Sequence, residues 1–483
     1  MAGLGRTLLT LTLLFSWLLT EGQQNQHLFH MHYLGESNFL NPAVQSDCKW
    51  FVGLPILSSI HLNYANSVFT YHQLVDNTSD STFYLDIDRV VDRAGRRSLI
   101  GTEFHTTLLA LGYHYREYYI NFSIIEKNNL PFTLSQDMLT LVWNGNAPFE
   151  GEEANLKGTS TYATHYREYA LGVSKENDMG NFFGIKAKLL FGKINYAVPK
   201  MDVGLYTDEN TFDLALDADV RMNVSGPFNI RVTNGAGDNF LGNIDVSLDD
   251  GVEISEILLN RKNWGFAFDA GFIYQYNSNL TFSGSILDVG FIWWRSHMSN
   301  LSAQNQYVYR GALVHGGNID QSVLDSIDYT ITNDRYFTLL PTKMYLGAEY
   351  ILNEKFAGRA LVSTIIYRTK FTPALTFTLE YNPLGNLHII GGYSLFYRSF
   401  NNFGFGFSLG RGPVQFYAIS DNVLGIIRPL DTRNINLRFG LNINLGCEEK
   451  EDKPKSYSTG RKVCSVYEKA QERNKRKARW KRR

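Results

Sequence analysis

At 483 residues, with 44% hydrophobic, 14% aromatic and only 19% charged side chains, the chain has room for two or three soluble domains or for one large closed sheet. The formal charge of −1 is unevenly spread: residues 447–483 carry 14 Lys/Arg against 6 Asp/Glu, a net of +8, which leaves about −9 for the rest. Three cysteines, Cys48, Cys447 and Cys464, are too few for a disulfide scaffold, and no CxxC or Cys/His cluster has metal-ligand spacing.

Residues 1–22 read as a secretory signal, with Arg6 as its charged start, a short apolar run over 8–19 and a polar exit ending at Gly22. That run is too short to cross a bilayer as a helix, and no other uninterrupted apolar stretch of about 18 residues follows, so any span must be β. Residues 23–55 are polar and rich in turns. His27, His30 and His32 hint at a metal there, but their spacing on an irregular segment matches no ligand motif. A first strand is expected over 57–64, and 102–113 with 118–125 form a hairpin. Ser135 is placed to cap a helix over 135–143. Strands follow at 159–173 and 182–196, turned by Asn177-Asp178-Met179-Gly180-Asn181.

An Asp-rich strand over 211–223 precedes the least regular part, 225–262, whose carboxylates lack the spacing of an EF-hand loop. Beyond it the pattern tightens. Strands are expected at 264–276, 280–293, 344–352, 356–368, 371–381, 388–398, 403–409, 414–419 and 433–445, with a long loop over 295–341. The last strand shows the logic best: Ile435, Leu437, Phe439, Leu441, Ile443 and Leu445 alternate with Asn434, Asn436, Arg438, Gly440, Asn442 and Asn444. Six apolar positions at period two cannot share a helical face. Many of these strands run about ten residues, the length that a tilted strand needs to cross a membrane, whereas globular strands have a mode near five or six. The expectation is an all-β transmembrane antiparallel β-barrel of about 14 strands, with 16 as the alternative, spanning 56–446. Short turns at 177–181, 277–279, 353–355 and 383–386 would share one end, with 66–100, 128–158 and 295–341 at the other and both termini periplasmic.

In such a barrel the polar face lines the lumen, so Lys186, Lys188, Asp213, Asp217, Asp219, Arg221, Glu349, Glu380 and Arg438 are expected to face inward, as inward ion pairs or as functional groups. Leu441→Arg would then be costly and Asn442→Arg mild. His114 and His165 sit in echoing His-Tyr-Arg-Glu segments, read as interfacial hydrogen bonding. Cys447 and Cys464 are close enough in the tail to pair, with Cys48 left over. No GxSxG elbow, HExxH, Walker loop or dinucleotide fingerprint occurs, and neither an enzyme nor a cofactor is indicated.

The segments Arg167-Glu168-Tyr169-Ala170-Leu171-Gly172, Asn263-Trp264-Gly265-Phe266-Ala267-Phe268-Asp269 and 412–422, with Asn41-Pro42-Ala43 near the start, resemble a family of functionally undefined outer-membrane proteins of Bacteroidota. These are similar to FadL-like barrels and to the PorV and PorP/SprF-type components of type IX secretion and gliding systems. The resemblance covers about 38–446. It implies the bacterial cell outer membrane as location and an N-terminal plug over 23–55, carried by Asn38, Asn41, Pro42 and Ala43. It also implies either a channel for small or hydrophobic compounds or a structural barrel that binds periplasmic or secretion-system proteins. Outer-membrane lipid is the expected surrounding. The basic tail, 447–483, reads as a solvated periplasmic extension, because an exported protein seldom meets nucleic acid.

Overall fold

The computed structural model describes residues 25–447 except 78–82, 86, 96–97, 233–243, 249–252, 311–328, 368–369, 397–398 and 411. The expected signal sequence and all of the tail beyond Cys447, including Cys464, lie outside the described residues. Fourteen antiparallel strands close into a ring. In chain order they are β1 in two pieces (Cys48–Gly53 and Ile60–Asn66), β2 (Ser98–Tyr115), β3 (Tyr118–Leu134), β4 (Ser160–Glu176), β5 (Phe182–Thr207), β6 (Trp264–Gln275), β7 (Leu280–Trp294), β8 (Thr342–Ile351), β9 (Phe356–Tyr367), β10 (Lys370–Tyr381), β11 (Leu387–Phe396), β12 (Ser399–Leu409), β13 (Val414–Ser420) and β14 (Asn434–Cys447). β14 pairs with both pieces of β1 and so shuts the sheet.

Alternation decides which way each side chain points, and here the usual order is inverted. Phe268 is 62% and Leu346 63% exposed on the outer surface, whereas Asn436 and Asn442 on the inner face are 1% and 0% exposed. A sheet with its apolar side outward and its amides buried is stable only where lipid replaces water outside. None of the described helices is long and apolar enough to cross a membrane.

The connections at 116–117, 177–181, 276–279, 352–355, 382–386 and 410–413 share one end, together with Cys48 and Cys447; the long connections after β1, β3, β5, β7 and β13 are at the other, along with the short links from β9 to β10 and from β11 to β12. The helix Gln136–Asn144 stands at the long-loop end, and its Ser135 cap accepts the Met138 N–H at 3.1 Å. β5 runs on for 26 residues, so that its first part pairs with β6 and its second with an extra strand, Leu214–Ser225. That strand pairs in turn with Met298–Tyr309, inside what the sequence presents as a loop. Rich in Ser, Asn and Gln, Met298–Tyr309 has no apolar run to announce it.

Two expectations give way. The stretch before residue 57 is not free of wall: Cys48–Gly53 is laddered between β14 and β2, short and cut off by Pro55, which has no N–H for a ladder. Cys447 is bonded not to Cys464 but to Cys48, across the strands that close the ring and 399 residues away in sequence.

Between its two pieces β1 makes an outward excursion, residues 54–59. Ile56 and Leu57 project outward, 57% and 48% exposed, while Ser58 and Ser59 are buried on the inside. The excursion is stitched to both neighbours, Leu441 N–H to Leu57 O at 2.9 Å and Ile56 N–H to Thr107 O at 2.9 Å. Gly440 is required opposite, since a Cβ there would stand 1.8 Å from the Ser58 carbonyl oxygen.

Candidate functional site in the barrel interior

Residues 25–47 lie within the ring. They comprise a helical turn, Gln26–His30, and a tighter one, Gly35–Phe39, joined by bends. Leu28, Phe29, Met31, Leu34 and Leu40 pack against Leu287, Tyr345, Leu361, Ile390, Tyr417 and Ile419 of the inner wall. This is an apolar core inside a polar-lined barrel, and it explains why a segment so poor in long apolar runs is ordered at all. The Phe29 and Tyr345 rings stack at 5.0 Å, and Tyr33 stacks on His388 at 3.7 Å.

Polar contacts fix the segment at both ends. At its start the backbone N–H groups of Asn25, Gln26 and His27 and the His27 ring all converge on the Asp421 carboxylate, at 2.5, 3.2, 3.1 and 2.7 Å. Burial pushes the Asp421 carboxyl up, but these contacts, the His27 ring first, outweigh it and hold the group below the usual aspartate range. Arg438 donates to Asn25 Oδ1 at 2.9 Å and to Ser59 Oγ at 2.8 Å. In the middle, Glu36 accepts from Asn442 Nδ2 at 2.9 Å and from Ser58 Oγ at 3.2 Å, which ties the segment to the inner side of the wall excursion.

The Asn38 and Asn41-Pro42-Ala43 stretch closes on itself and on the wall. Asn38 donates to the carbonyls of Pro42 and Val44, and Lys186 donates to Asn38 O and Oδ1 at 3.0 and 2.8 Å. Asn41 Oδ1 accepts the Ala43 N–H, and its Nδ2 donates to Phe272 O. The turn can lie this close because Gly184 and Gly271 face it. A Cβ would come within 2.2 Å of the Pro42 oxygen at the first and 2.1 Å of Asn41 Oδ1 at the second. Asn38 therefore meets Lys186 and Asn25 meets Arg438; Asp217 takes no part.

Along the wall from β3 to β11 run paired charges, one or two from each strand. Lys188 bonds Asp269 at 2.7 Å and Asp288 at 2.6 Å, Lys127 bonds Glu168 at 2.7 Å, and Lys343 faces Asp288 at 3.7 Å. Further round, Arg359 joins Glu349, at 2.8 Å, to Glu380, and His388 bonds Glu380 at 2.6 Å. Removing one partner from such a buried set leaves an uncompensated charge, typically at about 3–5 kcal/mol. Lys186, Lys188, Glu349, Glu380 and Arg438 are all buried on the inner side. The Asp-rich group is not. Leu214–Ser225 stands beyond the ring and turns its apolar side, Leu216, Ala218 and Val220, toward Met138, Leu141 and Phe149. Asp217 and Arg221 are accordingly exposed, Asp213 is half-buried, and Asp219 pairs with Lys200. The same alternation points the opposite way once a strand leaves the membrane level.

Alternation on the outward residues makes Lys127, Glu168 and Asp269 legible as inward groups. Asp288 is hidden, because a bulge opposite Asp269, with φ +59° at Asp288, puts two successive residues, Leu287 and Asp288, inside. His165 and Arg167 share the Glu126 carboxylate, each at 2.6 Å, and His114 bonds the Ser46 carbonyl. His27 and His30 sit in a buried helical turn, not on an irregular arm.

Together these features define a class: a closed 14-strand β-barrel with an inward-folded N-terminal segment clamped by buried polar groups. The chain belongs to a protein family of unknown function, DUF5723, which it matches over residues 42–421. No functionally curated protein matches the sequence. Among solved structures it is similar to the Ralstonia pickettii toluene transporter TbuX, with 9% identity, TM-score 0.38, and coverage of 85% of this chain and 94% of that one. It is also similar to the Pseudomonas putida toluene transporter TodX, with 8%, 0.36, 88% and 93%, and to a Pseudomonas aeruginosa FadL homologue, with 11%, 0.35, 85% and 94%.

Proposed function

We propose that the protein is a barrel of the bacterial outer membrane that admits small hydrophobic compounds, with residues 25–47 as a plug that must shift for a compound to pass. The observation that carries this reading is the apolar seam inside the barrel. Where the plug withdraws, Leu287, Tyr345, Leu361, Ile390 and Ile419 would be left as a greasy track between walls otherwise lined by paired charges. An ion channel has no use for such a track. In this reading the short turns and both termini face the periplasm, Asn38, Asn41, Pro42 and Ala43 form the plug's turn, and the basic tail extends below.

A second reading, a structural or partner-binding barrel of a secretion or gliding machine, is favoured by how completely the interior is filled and by the extra strands that rise beyond the ring. Deleting 25–46 while keeping Cys48 separates the two. The channel reading expects a barrel that stays folded, heat-modifiable on gels, with raised single-channel conductance in planar bilayers. It also expects cells carrying the deletion to take up a labelled hydrocarbon faster than cells carrying the full chain. A folded deletion protein with unchanged conductance and uptake would sink the channel reading and leave the partner-binding one.

A further inference from the structure

The geometry points to a divalent transition-metal site, of a kind suited to Zn2+, formed on the inner wall by His61, Glu103 and His105. His61 and His105 face each other across the β1–β2 ladder, and Glu103 lies two residues from His105 on the same side. One donor atom from each comes within 4.8 Å of the other two. Ligands of a tetrahedral zinc stand about 3.3 Å apart, so closing the set takes movements of about 1.5 Å or less, within reach of side-chain rotation on fixed strands.

The surroundings set up the right donors. His105 Nε2 lies 2.8 Å from Asn129 Oδ1, an acceptor that keeps the ring proton on Nε2 and leaves the Nδ1 lone pair to the site. His61 is wholly buried, and its Nδ1 meets no hydrogen-bond partner, a costly state for a ring nitrogen. Its Nε2 lies 3.0 Å from the Asn436 side-chain amide. As placed, that amide donates its Nδ2 to Nε2 while its Oδ1 accepts the Asp421 N–H at 3.3 Å; a metal on Nδ1 requires the amide to turn over, so that Nε2 carries the proton and Nδ1 is freed as donor. Two imidazoles and one carboxylate are a zinc-type set that leaves a fourth position for water.

The local charge is compatible. Arg438, Lys127 and Lys343 border the histidines, but Lys127 is neutralised by Glu168, Lys343 faces Asp288, and Arg438, which donates to Asn25 and Ser59, lies in the field of the Asp421 carboxylate. Glu103 therefore supplies the negative charge that a dication needs. Among the described contacts, none of the three residues takes part in the ion pairs along the wall or in holding residues 25–47, so neither of those roles accounts for the cluster.

The test uses the full-length protein in detergent, stripped with chelator and titrated with Zn2+ by calorimetry and with Co2+ by visible absorption. One saturable site per chain is expected, with intense Co2+ bands of tetrahedral character. His61→Ala and His105→Ala should each weaken binding by about 100-fold or more, and Glu103→Gln by about 10–100-fold. His165→Ala, away from the cluster, should leave it unchanged. Folding of each variant is read from its mobility on unheated gels. Should His61→Ala fail to fold, His105→Gln and Glu103→Gln carry the test. Absence of saturable binding in the folded wild type would overturn the assignment. So would undiminished binding in the folded histidine variants, which would move any ion elsewhere, for instance to His27, His30 and His32.

Discussion

Breaking the Cys48–Cys447 bond should destabilise the barrel at its seam. The disulfide joins the first and last strands, and the ladder beside it holds five residue pairs, from Cys48 with Cys447 to Gly53 with Asn442. In the chain-entropy account the bond restrains the unfolded chain. For a loop of 399 residues the relation gives ~6 kcal/mol, while removal of native disulfides typically costs about 2–5 kcal/mol. The lower range is expected here, because the inner segment also links this seam to the rest of the wall through Glu36 and Asn442. The assay is urea unfolding of refolded protein in lipid vesicles, comparing wild type with Cys48→Ser, Cys447→Ser and Cys464→Ser. The first two should lower the midpoint by an amount equal to that cost divided by an unchanged slope, and Cys464→Ser should not. A cross-linked peptide pairing Cys447 with Cys464 in a non-reducing digest would refute the seam, as would equal midpoints in all four proteins.

Two further outcomes are expected. Burial pushes Glu36 up to about 7 from its usual 4.5, against the pull of Asn442 and Ser58. The folded state therefore holds the proton more tightly than the unfolded one, and packing of the inner segment is strongest below about pH 4.5 and weakens by ~3 kcal/mol as pH rises through 7. Hydrogen exchange of residues 25–47 at pH 5 and pH 8 reads this, and Glu36→Gln should erase the difference; an unaltered pH response in the variant would count against it. Arginine scanning of β14 should separate its faces: Leu441→Arg, turned to lipid, should cost about 2–4 kcal/mol of barrel stability. Asn442→Arg, expected from sequence to be mild, should instead leave the barrel folded and expel the inner segment, because Asn442 is wholly buried against Glu36. Equal loss of assembled barrel in both variants would show the faces to be misassigned.

Strands were legible wherever the physics is local. β14, β10 and the part of β12 over 403–409 alternate without interruption, and the turn at 177–181 carries its own signal in Gly180, whose φ of +84° favours glycine. The reading failed where alternation stops being a guide. The excursion at 54–59 leaves Cys48–Gly53 too short to show a period, the bulge at Asp288 turns two neighbours inward at once, and Leu214–Ser225 keeps a perfect alternation while its apolar side changes from lipid to a covered cluster of loops. Period two fixes which residues share a face and says nothing about what that face meets.

The candidate site was the least legible part for the same reason, one level up. His61 and His105 are 44 residues apart in sequence, and Asp421 and Asn25 nearly 400, as their contacts require. Neither separation matches a motif, because the ring's closure sets the distances and the local chain does not. Within a closed sheet, however, inward positions at one height are neighbours whatever their order. That is why single charges from β3 to β8 can pair in one set and those from β8 to β11 in a second, and why a glycine at 184 and another at 271 make a single cradle for Asn41 and Pro42. The information is present in the sequence as isolated polar and glycine residues on the inner face of successive strands. It becomes a site only when the register of every ladder between them is known.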